Sequence, residues 1–274
     1  MGGRVLRHAA FGGGGMGGIG LLGTALLLGQ AKLARRAVPI IAGPPLTEAE
    51  YGDASVPGRV PLRLAMLGDS GAAGVGCDRP EETMGALLAG ALADAAQRPV
   101  RLDVLAVSGA RSADLDAQVS RALLTPPHLA VIIVGANDVT HFVPRRRATA
   151  HLHGAVDRLT AGGVRTVVGT CPDLGIVPPI PQPLRVVAGV LSRQMADAQA
   201  AAVTAAGGTP VPLARLVADR FAADPAMLFC ADRFHPSAHG YRLLADALLS
   251  AVRVAAGLDE GGASPRASYA EPGR

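Results

Sequence analysis

The chain has 274 residues, enough for one α/β domain with additional segments and too few for two large domains. Apolar residues make up 49% of it while aromatics are 3% and Trp is absent, so the core must be built from Ala, Val and Leu. The formal net charge is only +4, and its cations are scattered apart from the run Arg145, Arg146, Arg147; no nucleic-acid partner is expected. That run reads as a solvated helix start, with an anionic contact as the other reading.

From Ala9 to Ala31 the chain carries no Asp, Glu, Lys or Arg, with Arg4 and Arg7 before it and Lys32, Arg35 and Arg36 after it. Residues 1–36 are therefore expected to act as a signal anchor or signal peptide, with membrane association through residues 9–31 and a membrane-anchored, envelope or secreted location. The basic cluster behind Gly29-Gln30-Ala31 disfavours cleavage there. A Gly-rich leader with no membrane role is the alternative. Residues 37–61 are rich in Pro, Gly and small polar residues and read as a linker.

A domain over 62–256 follows. Apolar runs predict strands at Leu62–Leu67, Leu102–Val107, Leu129–Val134 and Val164–Gly169, with a weaker one near Thr209–Pro212. Helical patterns predict helices at Thr83–Ala96, Ala113–Leu123, Arg147–Ala161, Leu184–Ala206 and Ala238–Ala256. Because parallel neighbours need crossovers, this alternation specifies a doubly wound α/β/α sandwich around a mainly parallel sheet of four to five strands. Residues 257–274 are Gly-, Ser-, Pro- and charge-rich and are expected to be a disordered tail.

The three cysteines, Cys77, Cys171 and Cys230, lack zinc-ligand spacing, so no metal is expected. Cys171 with Cys230 is the favoured pair if a disulfide forms; three small buried hydrophobes is the competing reading.

In an open parallel sheet, ligands bind beyond the carboxyl ends of the strands. At those places stand Gly68-Asp69-Ser70-Gly71, Ser108-Gly109-Ala110 and Gly135-Ala136-Asn137-Asp138, and near the domain's end comes Asp232-Arg233-Phe234-His235-Pro236. Alone, the first reads equally well as a turn, the third reads better as one, and the last reads as a helix start capped by Ser237. Together they supply a hydroxyl nucleophile, neutral hydrogen-bond donors and a carboxylate three residues from an imidazole. A serine hydroxyl needs a base within hydrogen-bond reach, and a tight turn at Arg233-Phe234 would let Asp232 orient the His235 ring. His141, His151, His153 and His239 show no partner pattern and read as surface or packing residues.

These four blocks resemble the signature blocks of the SGNH (GDSL-type) hydrolases, and the resemblance covers the whole domain. Gly71 stands where the family name has Leu. The resemblance implies a carboxylic ester hydrolase without a cofactor, acting on short-chain acyl or acetyl groups of a small-molecule, lipid or glycan ester. It implies Ser70 as nucleophile, Asp232 and His235 as acid and base, and Ser70, Gly109 and Asn137 as oxyanion donors. An acyltransferase of the same fold and a non-catalytic envelope binding protein are the alternatives. The proline-rich loop from Cys171 to Pro183 is a candidate wall of an acyl pocket, and the apolar stretch Val139–Val143 either serves similarly or simply packs against the next helix. A nucleotide-binding reading fails because neither GxGxxG nor GK[ST] follows the first strand, and the absence of GxSxG disfavours an α/β-hydrolase proper.

Overall fold

The computed structural model describes residues 26–27, 29–33, 44, 48–52 and 60–258. Six strands form its sheet: β1 (Glu48–Tyr51), β2 (Leu62–Gly68), β3 (Val100–Val104), β4 (Leu129–Ile133), β5 (Arg165–Gly169) and β6 (Thr209–Val211). They lie in the order β1-β3-β2-β4-β5-β6, with β2 to β6 parallel. After β3 the chain crosses to the other side of β2, so the winding direction reverses between β2 and β4. That switch point is where a doubly wound sheet opens a crevice for ligands.

Central strands buried on both faces should be almost wholly apolar, and all five residues of β4 are buried. Alternation then sorts the side chains. Leu64 and Met66 join the core on one face, with Met84, Leu88 and Leu92 of α1 (Met84–Ala96). Ala65 and Leu67 join the core on the other, with residues of α2 (Leu115–Ala122) and α4 (Arg145–Ala161). Both Leu64 and Leu67 are fully buried, each contributing about 2 kcal/mol of hydrophobic stabilisation. The remaining helices are α3 (Ala136–Thr140), α5 (Leu184–Ala205), α6 (Leu213–Ala223), α7 (Pro225–Leu228) and α8 (Ala238–Ala255).

Four expectations need correction. The sheet has six strands rather than four to five, because β1 lies inside the stretch read as a linker and pairs antiparallel with β3. Four residues, Glu-Ala-Glu-Tyr, are too short and too charged to register as a strand on their own. The strand expected over Leu102–Val107 spans Val100–Val104, where its register aligns Leu62 with Val100. Helices α3, α6 and α7 were not anticipated, although α6 follows Pro212 and sets Leu213, Val217 and Phe221 at i, i+4 and i+8, all buried. Finally, all three cysteines are free. Cys171 is fully buried with its N–H donating to Gln199 Oε1 at 2.7 Å, so it is sealed at the strand end rather than presented in a loop to Cys230.

Among the described residues, no helix is long and apolar enough to cross a membrane. Residues 9–25, most of the segment expected to associate with a membrane, and residues 259–274, nearly all of the expected tail, lie outside the described residues. The helical residues at 29–33 contact the domain: Gln30 Nε2 donates to the Gln182 carbonyl at 2.8 Å, and Ala31 is buried.

Candidate active site

Ser70 sits on a turn whose shape begins at Gly68. Gly68 has φ +125°, and a Cβ there would lie 1.8 Å from the Ile133 carbonyl oxygen, so only glycine fits between β2 and β4. Asp69 N–H then donates to Ile133 O at 2.9 Å, and the chain coils back through Ala73 N–H to Asp69 O and Val75 N–H to Ser70 O. Gln118 of α2, itself buried, grips both backbone groups of Gly68: its Oε1 accepts from the N–H at 2.7 Å and its Nε2 donates to the carbonyl at 2.9 Å. Asp69 is buried and accepts from Gly71 N–H. Burial pushes its carboxyl up to about 7, and the Asp138 carboxylate adds to the rise against the Gly71 hydrogen bond.

The imidazole arrives from the far end of the chain. Residues 230–235 close into a tight turn, with Arg233 N–H donating to Cys230 O and Cys230 N–H to His235 O, both at 2.8 Å. Arg233 supplies the left-handed residue of that turn at φ 59°. Asp232 and His235 are thereby brought side by side. His235 Nδ1 lies 2.6 Å from Asp232 Oδ2, and the Ser70 hydroxyl lies 3.0 Å from His235 Nε2. Asp232 Oδ1 accepts from Phe234 N–H, His235 N–H and the Cys230 thiol. Burial alone would raise the Asp232 carboxyl, but the hydrogen bonds from His235, Cys230 and the two backbone amides outweigh it and hold it below the usual carboxylate range. Ser237 accepts from Gly240 N–H and caps α8, as the sequence predicts.

Asn137, at the start of α3, donates through Nδ2 to the Ala110 carbonyl at 3.0 Å. An amide nitrogen has two hydrogens, so this bond orients the second one. Gly109 is exposed at φ +82° in the turn where Ala110 N–H donates to Val107 O. The chain reaches that turn by continuing past β3 alongside β2, with Val107 N–H donating to Gly68 O at 3.1 Å.

A mostly apolar cavity of about 110 Å³ opens beside Ser70, His235 and Asn137. The expected proline-rich loop lines it through Pro172, Leu174, Ile176 and Val177. Val139–Val143 does not line it, since Val139 is buried in the core and Val143 packs against it. Leu213, Val217 and Phe221 of α6 supply a wall that the sequence reading missed, although their spacing and the preceding proline signalled the helix.

A hydroxyl, an imidazole and a carboxylate in one hydrogen-bonded line, beside the Asn137 amide and an apolar cavity, define a serine hydrolase site on a doubly wound fold. The chain belongs to the GDSL-like lipase/acylhydrolase family, whose sequence profile matches residues 66–243, and it is a carboxylic ester hydrolase. It is similar to a GDSL-like esterase of Mycobacterium tuberculosis, with 43% identity over 240 residues covering 84% of this chain and 76% of the relative. Among solved structures, it resembles the psychrotrophic esterase EstA from Pseudoalteromonas sp. with a TM-score of 0.55 at 20% identity, covering 72% of this chain and 99% of that one. An acetylxylan esterase from Geobacillus stearothermophilus shares the fold with a TM-score of 0.54 at 20% identity, over 71% and 94% of the two chains.

Proposed function

We propose that this esterase works through an acyl-enzyme on Ser70. The observation that carries the reading is the unbroken line from Ser70 Oγ through the His235 ring to Asp232, with links of 3.0 and 2.6 Å. His235 Nε2 takes the hydroxyl proton as Oγ attacks the ester carbonyl, while Asp232 fixes the ring with its Nδ1 proton facing the carboxylate. The charge that builds on the carbonyl oxygen is received by the N–H of Ser70, the N–H of Gly109 and the free amide hydrogen of Asn137, each worth on the order of 3 kcal/mol in the transition state. The imidazolium returns its proton to the leaving alcohol, and water activated by the same ring releases the acid.

The acyl group occupies the apolar cavity between the loop after β5 and helix α6, and the alcohol points outward past Gly109. Short acyl chains, acetyl included, are the proposed substrates; that the Geobacillus neighbour is an acetylxylan esterase agrees with this. Treatment with a fluorophosphonate, followed by peptide mapping, tests the reading. One adduct on Ser70, formed together with loss of hydrolysis of aryl acetate and butyrate esters, is the expected result; full labelling of Ser70→Ala protein would reject it.

We also propose that the charge-free stretch before Ala31 keeps the enzyme at the cell envelope without being removed. The hydrogen bonds that Gln30 makes with Gln182 and Leu184 support retention of that end of the segment. Recovery of the full chain in the soluble fraction, at the same yield as a chain lacking residues 1–25, would refute this.

A further inference from the structure

The turn that carries Gly109 has little of its own to hold it in place. Space around Gly109 is open: a Cβ there would meet nothing within 4 Å, and the residue is exposed. Yet a backbone donor contributes to catalysis only if it is fixed before charge develops. The fixing comes one and three residues further on, at Ala110 and Ser112. Ser112 is buried, and both its N–H and its hydroxyl donate to Asp138 Oδ2, at 3.0 and 2.7 Å. Asp138 is itself 1% exposed and follows Asn137 directly. Because Asn137 donates through Nδ2 to the Ala110 carbonyl, neighbouring residues of α3 grip the loop on both sides of Arg111.

We infer that Asp138 is a positioning residue for the oxyanion donors, fastening the Gly109 loop to the helix that presents Asn137. The inference rests on the proposed function above and assigns Asp138 no contact with substrate. Its chemistry suits the task. Burying a carboxylate is costly, and a neutral side chain would serve merely to fill space. A carboxylate oxygen taking two hydrogen bonds from one residue is a shorter and stiffer link than a neutral acceptor forms. The distance between the Asn137 amide and the Gly109 N–H is then set by the protein and not by the substrate.

The test uses Asp138→Ala, Asp138→Asn and Ser112→Ala in the full chain, with active sites counted by fluorophosphonate titration and rates expressed per titrated site. A loosening on the ångström scale costs about 10²-fold, so Asp138→Ala should lose kcat by about that factor while KM stays within about threefold. Asp138→Asn retains an acceptor oxygen and should recover part of the loss. Ser112→Ala should lose less than Asp138→Ala, and the double variant should be no worse than Asp138→Ala alone. The discriminating readout is the inhibition constant of an alkyl boronic acid, which mimics the tetrahedral state. It should weaken across the series in proportion to the fall in kcat/KM. A purely structural role predicts fewer titratable sites with unchanged kcat and unchanged boronate affinity per site, and that outcome would overturn the inference. If Asp138→Ala does not fold, Ser112→Ala decides on the same readout. Failure of the underlying reading looks different: wild-type protein would then resist boronate, and Ser70→Ala would remain active.

Discussion

Asp232 receives four donors on its two oxygens, which makes it the most heavily hydrogen-bonded member of the proposed triad. Replacing it with Asn keeps the size but removes the charge that stabilises the imidazolium and fixes its tautomer. A loss of about 10⁴ in kcat with little change in KM is expected from steady-state assays of an aryl ester. Ser70→Ala and His235→Ala should each lose at least as much, and combining them should cost little more, because groups acting as one unit are not additive. Asn137→Ala should lose 10² to 10³ in kcat, on the order of 3 to 4 kcal/mol. Since the folded Asp232 carboxyl lies below its ordinary value, it contributes stability above that ordinary value, and the contribution disappears only as pH falls through the lower folded one. Activity lost on mild acidification should therefore return on neutralisation, as protonation of a general base does.

At the scale of elements, the turn leaving β2 is the most constrained piece of backbone in the site. Gly68→Ala must displace the Ile133 carbonyl from β4, so the expected outcome is a loss of more than about 4 kcal/mol, seen as insoluble or unfolded protein. Gln118→Leu leaves the buried Gly68 N–H unpaired, while the Gly68 carbonyl keeps the bond from Val107 N–H, and should lower stability by about 1 to 3 kcal/mol in urea melts. The need for glycine at 68 is imposed by Ile133 on the adjacent strand β4, whereas the strand-to-turn logic around Ser70 was legible in the sequence because it depends on neighbours in the chain. The partner of that turn was not, since Gln118 reaches it across 50 residues and nothing in a helical pattern marks one glutamine as a clamp. Helix α6 is a different case. Its periodicity was present, but a short run behind two prolines near the end of a domain resembles a loop, and its role as a cavity wall depends on packing. Val217→Phe should therefore depress kcat/KM for butyrate and longer acyl esters more than for acetate, as a chain-length series of aryl esters would reveal.

For the whole molecule, the buried Asp69 sets a pH dependence of stability opposite to that of Asp232. Its folded value is about 7 against an ordinary 3.8, so between those limits the native chain holds a proton that the unfolded chain has released. That contribution is complete below the ordinary carboxyl value and is lost as pH rises through 7, a change on the order of 4 kcal/mol. Asp69→Asn should melt above wild type at pH 8, and the gap should narrow steadily on acidification and level off only below about pH 4. The edge strand matters on the same scale. A chain begun at Pro61 lacks β1 and bares the β3 edge, so it should associate in light scattering where a chain begun at Pro44 does not. The parallel alternation from β2 to β6 was readable because parallel neighbours need crossovers, whereas β1, an antiparallel addition from outside the alternation, had no such rule to announce it. Tyr241 ties these scales together. Its buried hydroxyl donates to the Val75 carbonyl at 2.7 Å, and it stands on α8, the helix that begins directly after the His235 turn. The same rod thus carries the proton acceptor at its root and a brace on the segment behind the attacking oxygen one turn later. A displacement of that helix would therefore be felt at both reacting groups, through the turn before it and through the Tyr241 hydroxyl.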